Sequence, residues 1–375
     1  MLTPSPELLA TLRLTLVKGI GPRILRNLVE YFGSAEKVFE ADLFQLRQVE
    51  EVGAQTAMAI LSAPQEINVE KELELCEKHA IRILLTSDPE YPALLKTIPD
   101  APILLYVQGK LQPQDSVSLA MVGTRHATFY GERQAERLAG EFVRAGFSIV
   151  SGLARGIDGV SQKAALDAGG RTVAILGHGL AQKVYPPEHV NLAKRIIDSG
   201  CALVSEYPPL QQVTAKTFPR RNRIIAGMTL GTAVIEAGFH SGTTLTAEFA
   251  LDYGREVFAM PGPVDSRSST GCHRLIRQGA KLLESVEDVL EELGPIRDRF
   301  PKEAKAEEML VEHPAEISMT EAEKAIFAAI PKDGATVDEL TQRTGIPVWK
   351  LMTQLTGLEI KRLIKRGAGQ RVYKC

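Results

Sequence analysis

The sequence lacks the features that mark membrane, secreted and globally cationic proteins. No apolar run among its 375 residues approaches the roughly 18 residues of a membrane span. The N-terminus has no basic region followed by an apolar core, so no signal peptide is expected. The formal net charge is only -2, so any binding of a polyanion must use a local patch. These absences, with the chain's length, predict a cytoplasmic protein of two or three domains with no membrane span.

Cysteine pairs and cofactor motifs are also missing. The four cysteines are far apart, and no histidine stands at metal-ligand spacing, which favours buried thiols over disulfides or zinc. No strand is followed by G-x-G-x-x-G, and no Walker lysine motif is present. The sequence therefore predicts neither a metal nor a nucleotide cofactor.

Short apolar runs that alternate with helical patterns fill the region from about Ser116 to Gly294. SLAMVG precedes YGERQAERLAGEFVRAG, FSIVSG precedes IDGVSQKAALDAG, and the alternation continues to EVFAMPG. Strands alternating with helices call for a parallel sheet covered on both faces. We expect an α/β fold with a doubly wound, Rossmann-like parallel sheet over residues 65–294, in which residues 65–115 are a lead-in extension.

Smaller modules are expected on both sides of this domain. Residues 1–64 show helical periodicity around a glycine turn, Lys18–Leu25, which resembles a helix-hairpin-helix of nucleic-acid binding proteins. A purely structural helical hairpin explains the same pattern. Residues 295–317 read as a linker, and residues 318–375 match a winged helix, with three helices and a basic hairpin. Such a module binds either DNA or protein.

Glycine turns follow three of the predicted strands. In an open parallel sheet, ligands collect at the carboxyl ends of the strands, where glycine and free helix N-termini admit a phosphate. Tight packing of a helix on a strand is an alternative explanation for glycine in these turns. The turn residues are Gly123, Thr124 and Arg125, then Ser151 and Gly152 with Arg155, and then Ser241, Gly242 and Thr243.

The stretch FPRRNRIIAG places three arginines at the predicted start of a helix on this edge. Cations oppose the helix dipole there, so an anion should compensate them. One answer is intramolecular pairing with Glu206 or Glu236, and we expect at least one of Arg220, Arg221 and Arg223 to be structural in that way.

The other answer is a phosphate pocket lined by the remaining arginines together with Lys216 and Arg125. Phe218 offers a flat apolar face on which an unstacked base can rest, although an ordinary core aromatic would look the same.

Six ordered motifs together resemble the DNA-processing DprA (Smf) family. They are GTRHATFYG at 123–131, SGLARGID at 151–158, FPRRNRIIAG at 218–227, SGTTLTAEFAL at 241–251, FAMPGPV at 258–264 and GCHRLIRQGA at 271–280. The resemblance implies a homodimer without established catalytic activity. It also implies that this homodimer binds single-stranded DNA during natural transformation, protects it and loads RecA onto it.

The candidate nucleic-acid-binding residues combine the positions that match the family with the glycine turns. They are Gly123, Thr124, Arg125, Arg155, Lys216, Phe218, Arg221, Asn222, Arg223, Ser241, Gly242 and Thr243. Two positions depart from the family pattern: Gln162 replaces a usual histidine, and His273 replaces a usual asparagine, which leaves the geometry of the last loop open. We expect the dimer contact around Leu275, Ile276 and Leu282.

Two rival functions remain. One is a nucleotide hydrolase similar to the phosphoribohydrolases, whose Gly-Gly-x-Gly-Thr-x-x-Glu motif supplies a carboxylate. Here Thr246 stands at the position of that carboxylate, although Glu206 and Glu236 remain at strand ends. The other rival is a scaffold that mainly recruits proteins through its flanking modules.

Overall fold

The computed structural model of the chain forms two compact units, Met1–Pro301 and Lys302–Cys375. It describes residues 4–215, 217–239, 241–293, 320–331, 335–360, 363–366 and 371–374. Among the helices in these ranges, none combines the length and the apolar character of a membrane span.

Six helices form the N-terminal part of the first unit: α1 (Pro6–Leu16), α2 (Pro22–Phe32), α3 (Ala35–Val38), α4 (Leu43–Leu46), α5 (Ala54–Glu66) and α6 (Val69–Lys78). Gly19 (φ 94°) makes the turn between α1 and α2, and Gly53 precedes α5. A Cβ on Gly19 would lie 4.0 Å from Thr56 Oγ1, so the two hairpin turns are neighbours. The expected helical hairpin domain is confirmed.

The sheet of the first unit contains nine strands in the described residues. They are β1 (Ile81–Leu85), β2 (Leu104–Gly109), β3 (Ser118–Gly123), β4 (Ser148–Ser151), β5 (Thr172–Ile175), β6 (Ala202–Ser205), β7 (Gly231–Glu236), β8 (Glu256–Ala259) and β9 (Lys281–Leu282). Their order is β1-β2-β6-β5-β4-β3-β7-β8-β9. Neighbours from β6 to β9 are parallel, which confirms the doubly wound sheet, whereas β1 and β2 add an antiparallel edge that we did not predict.

Helices cover both faces of this sheet. They are α7 (Ala93–Lys96), α8 (Phe129–Arg144), α9 (Ile157–Asp167), α10 (Val190–Asp198), α11 (Thr217–Gly227), α12 (Gly242–Asp252), α13 (Thr270–Arg277) and α14 (Val286–Glu292). Alternate residues of β3 enter different cores. Ala120 and Val122 pack with α11 and α12, whereas Leu119 and Met121 pack with α8 and α9.

The strand order reverses at β3, which has β4 on one side and β7 on the other. In sheets of this kind, the crevice at the carboxyl ends of such strands is where ligands bind. Ligand-binding residues are therefore expected in the loops after β3, β4 and β7.

The second unit contains α15 (Glu321–Ala329), β10 (Ala335–Thr336), α16 (Val337–Thr344), α17 (Val348–Ile360), β11 (Ile364–Arg366) and β12 (Arg371–Lys374). Thr336 caps α16: its hydroxyl accepts from Glu339 N at 3.3 Å, and its N donates to Glu339 Oε2 at 2.9 Å. The strands pair in the order β10-β12-β11. Three helices with a small antiparallel sheet confirm the winged helix.

Candidate nucleic-acid interface

A cleft of about 730 Å³ opens at the reversal point of the sheet. Its walls come from the loop after β3, the start of α9, the first turns of α11 and the N-terminus of α12. Nine of the predicted site residues line it: Gly123, Thr124, Arg125, Phe218, Arg221, Asn222, Ser241, Gly242 and Thr243. Segments far apart in the sequence therefore meet in one cleft.

Glycine is needed where the loops after β3 and β4 touch. Gly156 has φ 71°, and a Cβ there would collide with the carbonyl oxygen of Thr124. Ile157 N donates to the same oxygen at 3.3 Å. At Gly242, by contrast, an added Cβ would meet nothing within 4 Å. Packing thus accounts for the glycine at 156, whereas the open surface at Gly242 is available to a ligand.

Arg125 and Phe218 form an aromatic and cationic wall of the cleft. Arg125 is exposed, and its guanidinium carbon lies 5.0 Å from the centroid of the half-buried Phe218 ring. The centroid of the Tyr185 ring lies 5.7 Å from that of Phe218. Arg125 forms no ion pair within the described part of the chain. Its positive charge is therefore available to an anion.

Arg221 belongs to the floor of the cleft. It is only 3% exposed, and its Nη1 donates to Gly152 O at 2.6 Å and to Ile175 O. Burial lowers the pKa of Arg221 to about 10, against the opposing effect of the Asp158 carboxylate. Arg221 therefore ties α11 to the ends of β4 and β5, and much of its hydrogen-bonding capacity is already used.

Asp158 shares this floor, and the sequence analysis did not select it. Its carboxylate accepts from Gly152 N at 3.1 Å, and burial raises its pKa. Tyr185 and His126 also line the cleft. Tyr185 could have been found from its loop, because that loop follows β5 at the same edge of the sheet, and His126 directly follows Arg125.

Arg223 faces away from the cleft, which corrects its place among the candidate residues. Its guanidinium pairs with Glu206 and lies 3.5 Å from Asp100 Oδ2, and both Arg223 and Glu206 are buried. Arg220 Nε lies 3.5 Å from Glu206 Oε1. Because 220 and 223 are three residues apart, they share one face of α11. The expectation that at least one arginine of the stretch is structural therefore holds.

The N-terminus of α12 forms the opposite edge. Ser241 Oγ caps the helix by accepting from Thr243 N at 3.2 Å, and it donates to Thr243 Oγ1 at 2.9 Å. Asn222 Nδ2 donates to Gly242 O at 3.3 Å, which joins α11 to this edge. A helix N-terminus carries a partial positive charge that suits phosphate.

The remaining candidates lie beside the cleft or cannot be placed. Arg155 lines a smaller cavity of about 120 Å³ that shares Arg125 and Phe218 with the cleft. It pairs with Glu188 at 2.7 Å, and both side chains are about half exposed. Lys216 lies outside the described residues.

The residues considered for an enzyme are engaged in the fold. Glu236 accepts from Thr128 N and from Thr128 Oγ1, both at 2.9 Å, at the start of α8. Glu206 is paired on the far side of α11. Thr246, which stands where the phosphoribohydrolases have their carboxylate, lines the cleft.

The two departures from the family pattern are accommodated by hydrogen bonds. Buried Gln162 accepts from Leu153 N at 3.0 Å and donates to Thr172 Oγ1 at 3.1 Å. His273 Nε2 lies 3.0 Å from Gly262 O and steadies the loop after β8.

Of the residues expected at a dimer contact, Leu275 is in the core of the protomer and so cannot contact a partner. Ile276 is partly buried against that core, and Leu282 is exposed. Dimerisation through this region therefore remains a prediction that depends mainly on Leu282.

Three family models match the chain. DNA recombination-mediator protein A matches residues 82–294, the DprA winged helix domain matches 311–370, and a SAM-like helix-hairpin-helix tandem matches 11–66. Protein Smf of Synechocystis is 32% identical over 96% of both chains. Protein Smf of Escherichia coli is 38% identical over 81% of this chain and 80% of its own length.

Solved structures agree with these matches. The X-ray structure of DNA processing protein A from Streptococcus pneumoniae covers 77% of this chain and 98% of its own, with a TM-score of 0.67 and 32% identity. The structure from Helicobacter pylori covers 59% of this chain and 97% of its own, with a TM-score of 0.51 and 24% identity, and so shares the fold. With most of its length matched by relatives of one kind, the chain belongs to the DNA recombination-mediator protein A (DprA/Smf) family.

Proposed function

We propose that this chain binds single-stranded DNA in the cleft, protects incoming DNA during natural transformation and loads RecA recombinase onto it. It acts as a cytoplasmic homodimer and as a binding protein rather than an enzyme. Membership of a recombination-mediator family supports a role in DNA recombination. The geometry of the cleft supports single-stranded DNA as its ligand.

The observation that carries the proposal is the exposed Arg125 guanidinium on the Phe218 ring. A single strand offers both a phosphate for the cation and an unpaired base for the aromatic face, whereas duplex DNA keeps its bases stacked. The N-terminus of α12 supplies further N-H donors across the cleft. Because the chain has a net charge of only -2, affinity must come from this local cluster.

The ligand named for one solved relative is the same, but that relative does not carry the assignment. The Helicobacter pylori protein is described as having a unique single-stranded DNA binding mode. At 24% identity that likeness concerns the fold alone, so the assignment of single-stranded DNA to this chain depends on Arg125, Phe218 and the α12 N-terminus.

The alternative, a nucleotide hydrolase, is weaker because its chemistry needs a free carboxylate in the cleft. Asp158 lines the floor, but it holds the backbone of Gly152, and Glu236 holds Thr128. Turnover of nucleoside monophosphates that is lost in Glu236→Gln would favour the hydrolase.

Fluorescence anisotropy with labelled single-stranded and duplex DNA tests the binding step. We expect wild-type protein to prefer the single strand and Arg125→Ala to lose about 10- to 100-fold in affinity, because a charged hydrogen bond contributes about 1.5 to 3 kcal/mol. The logarithmic salt slope should also fall by about 0.7 for the lost phosphate contact. Arg82→Ala is the control, since Arg82 lies on β1, pairs with Glu90 and is outside the cleft. Equal affinity of Arg125→Ala and wild type would remove the cleft as the binding site.

RecA loading is tested separately, by strand exchange on DNA covered with single-strand-binding protein. We expect wild type to shorten the lag before RecA activity and Arg125→Ala to lengthen it again. An unchanged lag in the presence of wild type would contradict the mediator role while leaving DNA binding intact.

A further inference from the structure

Next to the cleft, an arginine lies over the ring of an exposed phenylalanine, as Arg125 lies over Phe218 inside the cleft. Phe239 lies in the β7–α12 loop, two residues before Ser241 at the cleft edge, and is 52% exposed. The guanidinium carbon of Arg274 lies 5.2 Å from the centroid of its ring. The corresponding distance between Arg125 and Phe218 is 5.0 Å.

A close approach of α13 to the β7–α12 loop creates this pair. Gly271, in the first turn of α13, donates its N-H to Ala237 O at 2.8 Å. A Cβ on Gly271 would lie 2.6 Å from Gly238 O, so only glycine allows the helix to sit so close. Arg274 is almost one turn further along α13, and its side chain consequently reaches Phe239.

The charge around this pair is positive and poorly compensated. Arg274 Nη2 is 3.9 Å from Glu248 Oε1, a loose contact to an exposed carboxylate. Its Nε is buried without a hydrogen-bond partner among the described residues. Arg267 before α13 and Arg277 at its end are exposed, whereas Arg274 is half-buried. An exposed aromatic ring with an arginine beside it is the combination that single-stranded nucleic acid prefers.

We infer that Phe239 and Arg274 form a second nucleotide-binding step, the Phe239 platform, for the part of a single strand that leaves the cleft past α12. A base stacks on the exposed part of the Phe239 ring, and Arg274 neutralises the adjoining phosphate. This inference rests on the proposed function. It adds that the binding track continues from the cleft across the carboxyl end of β7 towards α13.

Affinity for oligonucleotides of two lengths tests the platform in full-length protein. We would use labelled oligothymidylates of about 5 nucleotides, enough for the cleft, and about 20 nucleotides, enough to continue past it. Phe239→Ala should leave the affinity for the short oligonucleotide unchanged and lower that for the long one about 5- to 150-fold, as expected for one lost stacking contact. Phe239→Trp should restore it, because the flat aromatic face returns.

The control is Phe44→Ala, which removes a phenylalanine from α4 that is even more exposed, at 73%. It should change neither affinity. The short oligonucleotide also reports whether Phe239→Ala keeps the cleft folded. If Phe239→Ala binds both lengths as wild type does, the platform is refuted while the cleft stands. If wild type binds neither length, the proposed function itself fails.

Photocrosslinking supplies a second readout that needs no variant. A long strand carrying 5-iododeoxyuridine at successive positions should crosslink to Phe239 from a position different from the one that crosslinks to Phe218. Crosslinks at Phe218 together with none at Phe239 from any position would contradict the platform.

Discussion

The arginines found on the two sides of α11 are in opposite electrostatic situations. On the side away from the cleft, Arg223 and Arg220 meet the buried carboxylate of Glu206, and Asp100 completes the group. On the cleft side, Phe218 supports the exposed Arg125, which forms no ion pair among the described residues. The difference shows that the partner of an arginine decides whether it stabilises the fold or is available to DNA.

The physical reason is the cost of burial. A buried guanidinium without a counterion is strongly destabilising, so the buried Arg223 requires its carboxylates. Arg125 remains in water and requires none. Arg221 lies between these cases, since it is buried in the cleft floor but is satisfied largely by backbone carbonyls.

Arg223→Met removes the buried ion pair with Glu206 and should have the largest effect on stability. It leaves Glu206 buried with its main partner removed, which should lower the free energy of unfolding by about 3 to 5 kcal/mol. Urea denaturation measures this change. The double variant Arg223→Met/Glu206→Gln should recover part of the loss, and a single-variant loss below about 1 kcal/mol would show that the pair is not needed.

Gly156→Ala disturbs the loop contact that positions Arg125. The new Cβ would strain a left-handed backbone and push against Thr124, so we expect a loss of about 2 to 4 kcal/mol in stability together with weaker DNA binding. Gly169→Ala is a matched control because its φ of 73° is similar but nothing lies within 4 Å. Equal losses in the two variants would mean that backbone strain, and not the contact between loops, accounts for the effect.

Arg125→Lys separates the effect of charge from the effect of stacking at the arginine without an ion pair. It keeps the charge but loses the planar group that stacks on Phe218, so we expect a roughly fivefold loss of affinity for single-stranded DNA, smaller than that of Arg125→Ala. Thermal unfolding should be unchanged, because Arg125 is exposed. Full wild-type affinity in the lysine variant would show that only charge matters here.

Gly242→Ala should have the smallest effect. An added methyl group meets no protein atom within 4 Å, so stability should stay within about 0.5 kcal/mol of wild type. A strand lying against the α12 N-terminus would be displaced, which predicts a loss of affinity of a few-fold in the same anisotropy titration. Unchanged affinity would place the strand away from this edge.

Sequence patterns predicted the sheet and most of the cleft because both depend on local signals. Alternating apolar runs and helical periodicity located β3 to β8, and the carboxyl-end rule then brought Gly123, Arg125 and Ser241 together. The capping box between Thr336 and Glu339 at the start of α16 is another local signal, because its two residues are only three apart.

Features that depend on tertiary partners could not be predicted in this way. Which face of α11 Arg223 occupies depends on the helix phase and on Asp100, more than a hundred residues away in the chain. The antiparallel pairing of β2 with β6 and the approach of α13 to Phe239 are also long-range contacts. Asp158 escaped selection because a single acidic residue in a helix is usually a surface group, whereas here the loop after β4 encloses it.

Arginine modification by phenylglyoxal, followed by mass spectrometry with and without bound single-stranded DNA, shows which guanidinium groups the strand covers. We expect DNA to protect Arg125 strongly, whereas Arg82, exposed on β1, reacts equally in both samples. Equal modification of Arg125 in the free and DNA-bound protein would show that the strand does not occupy the cleft.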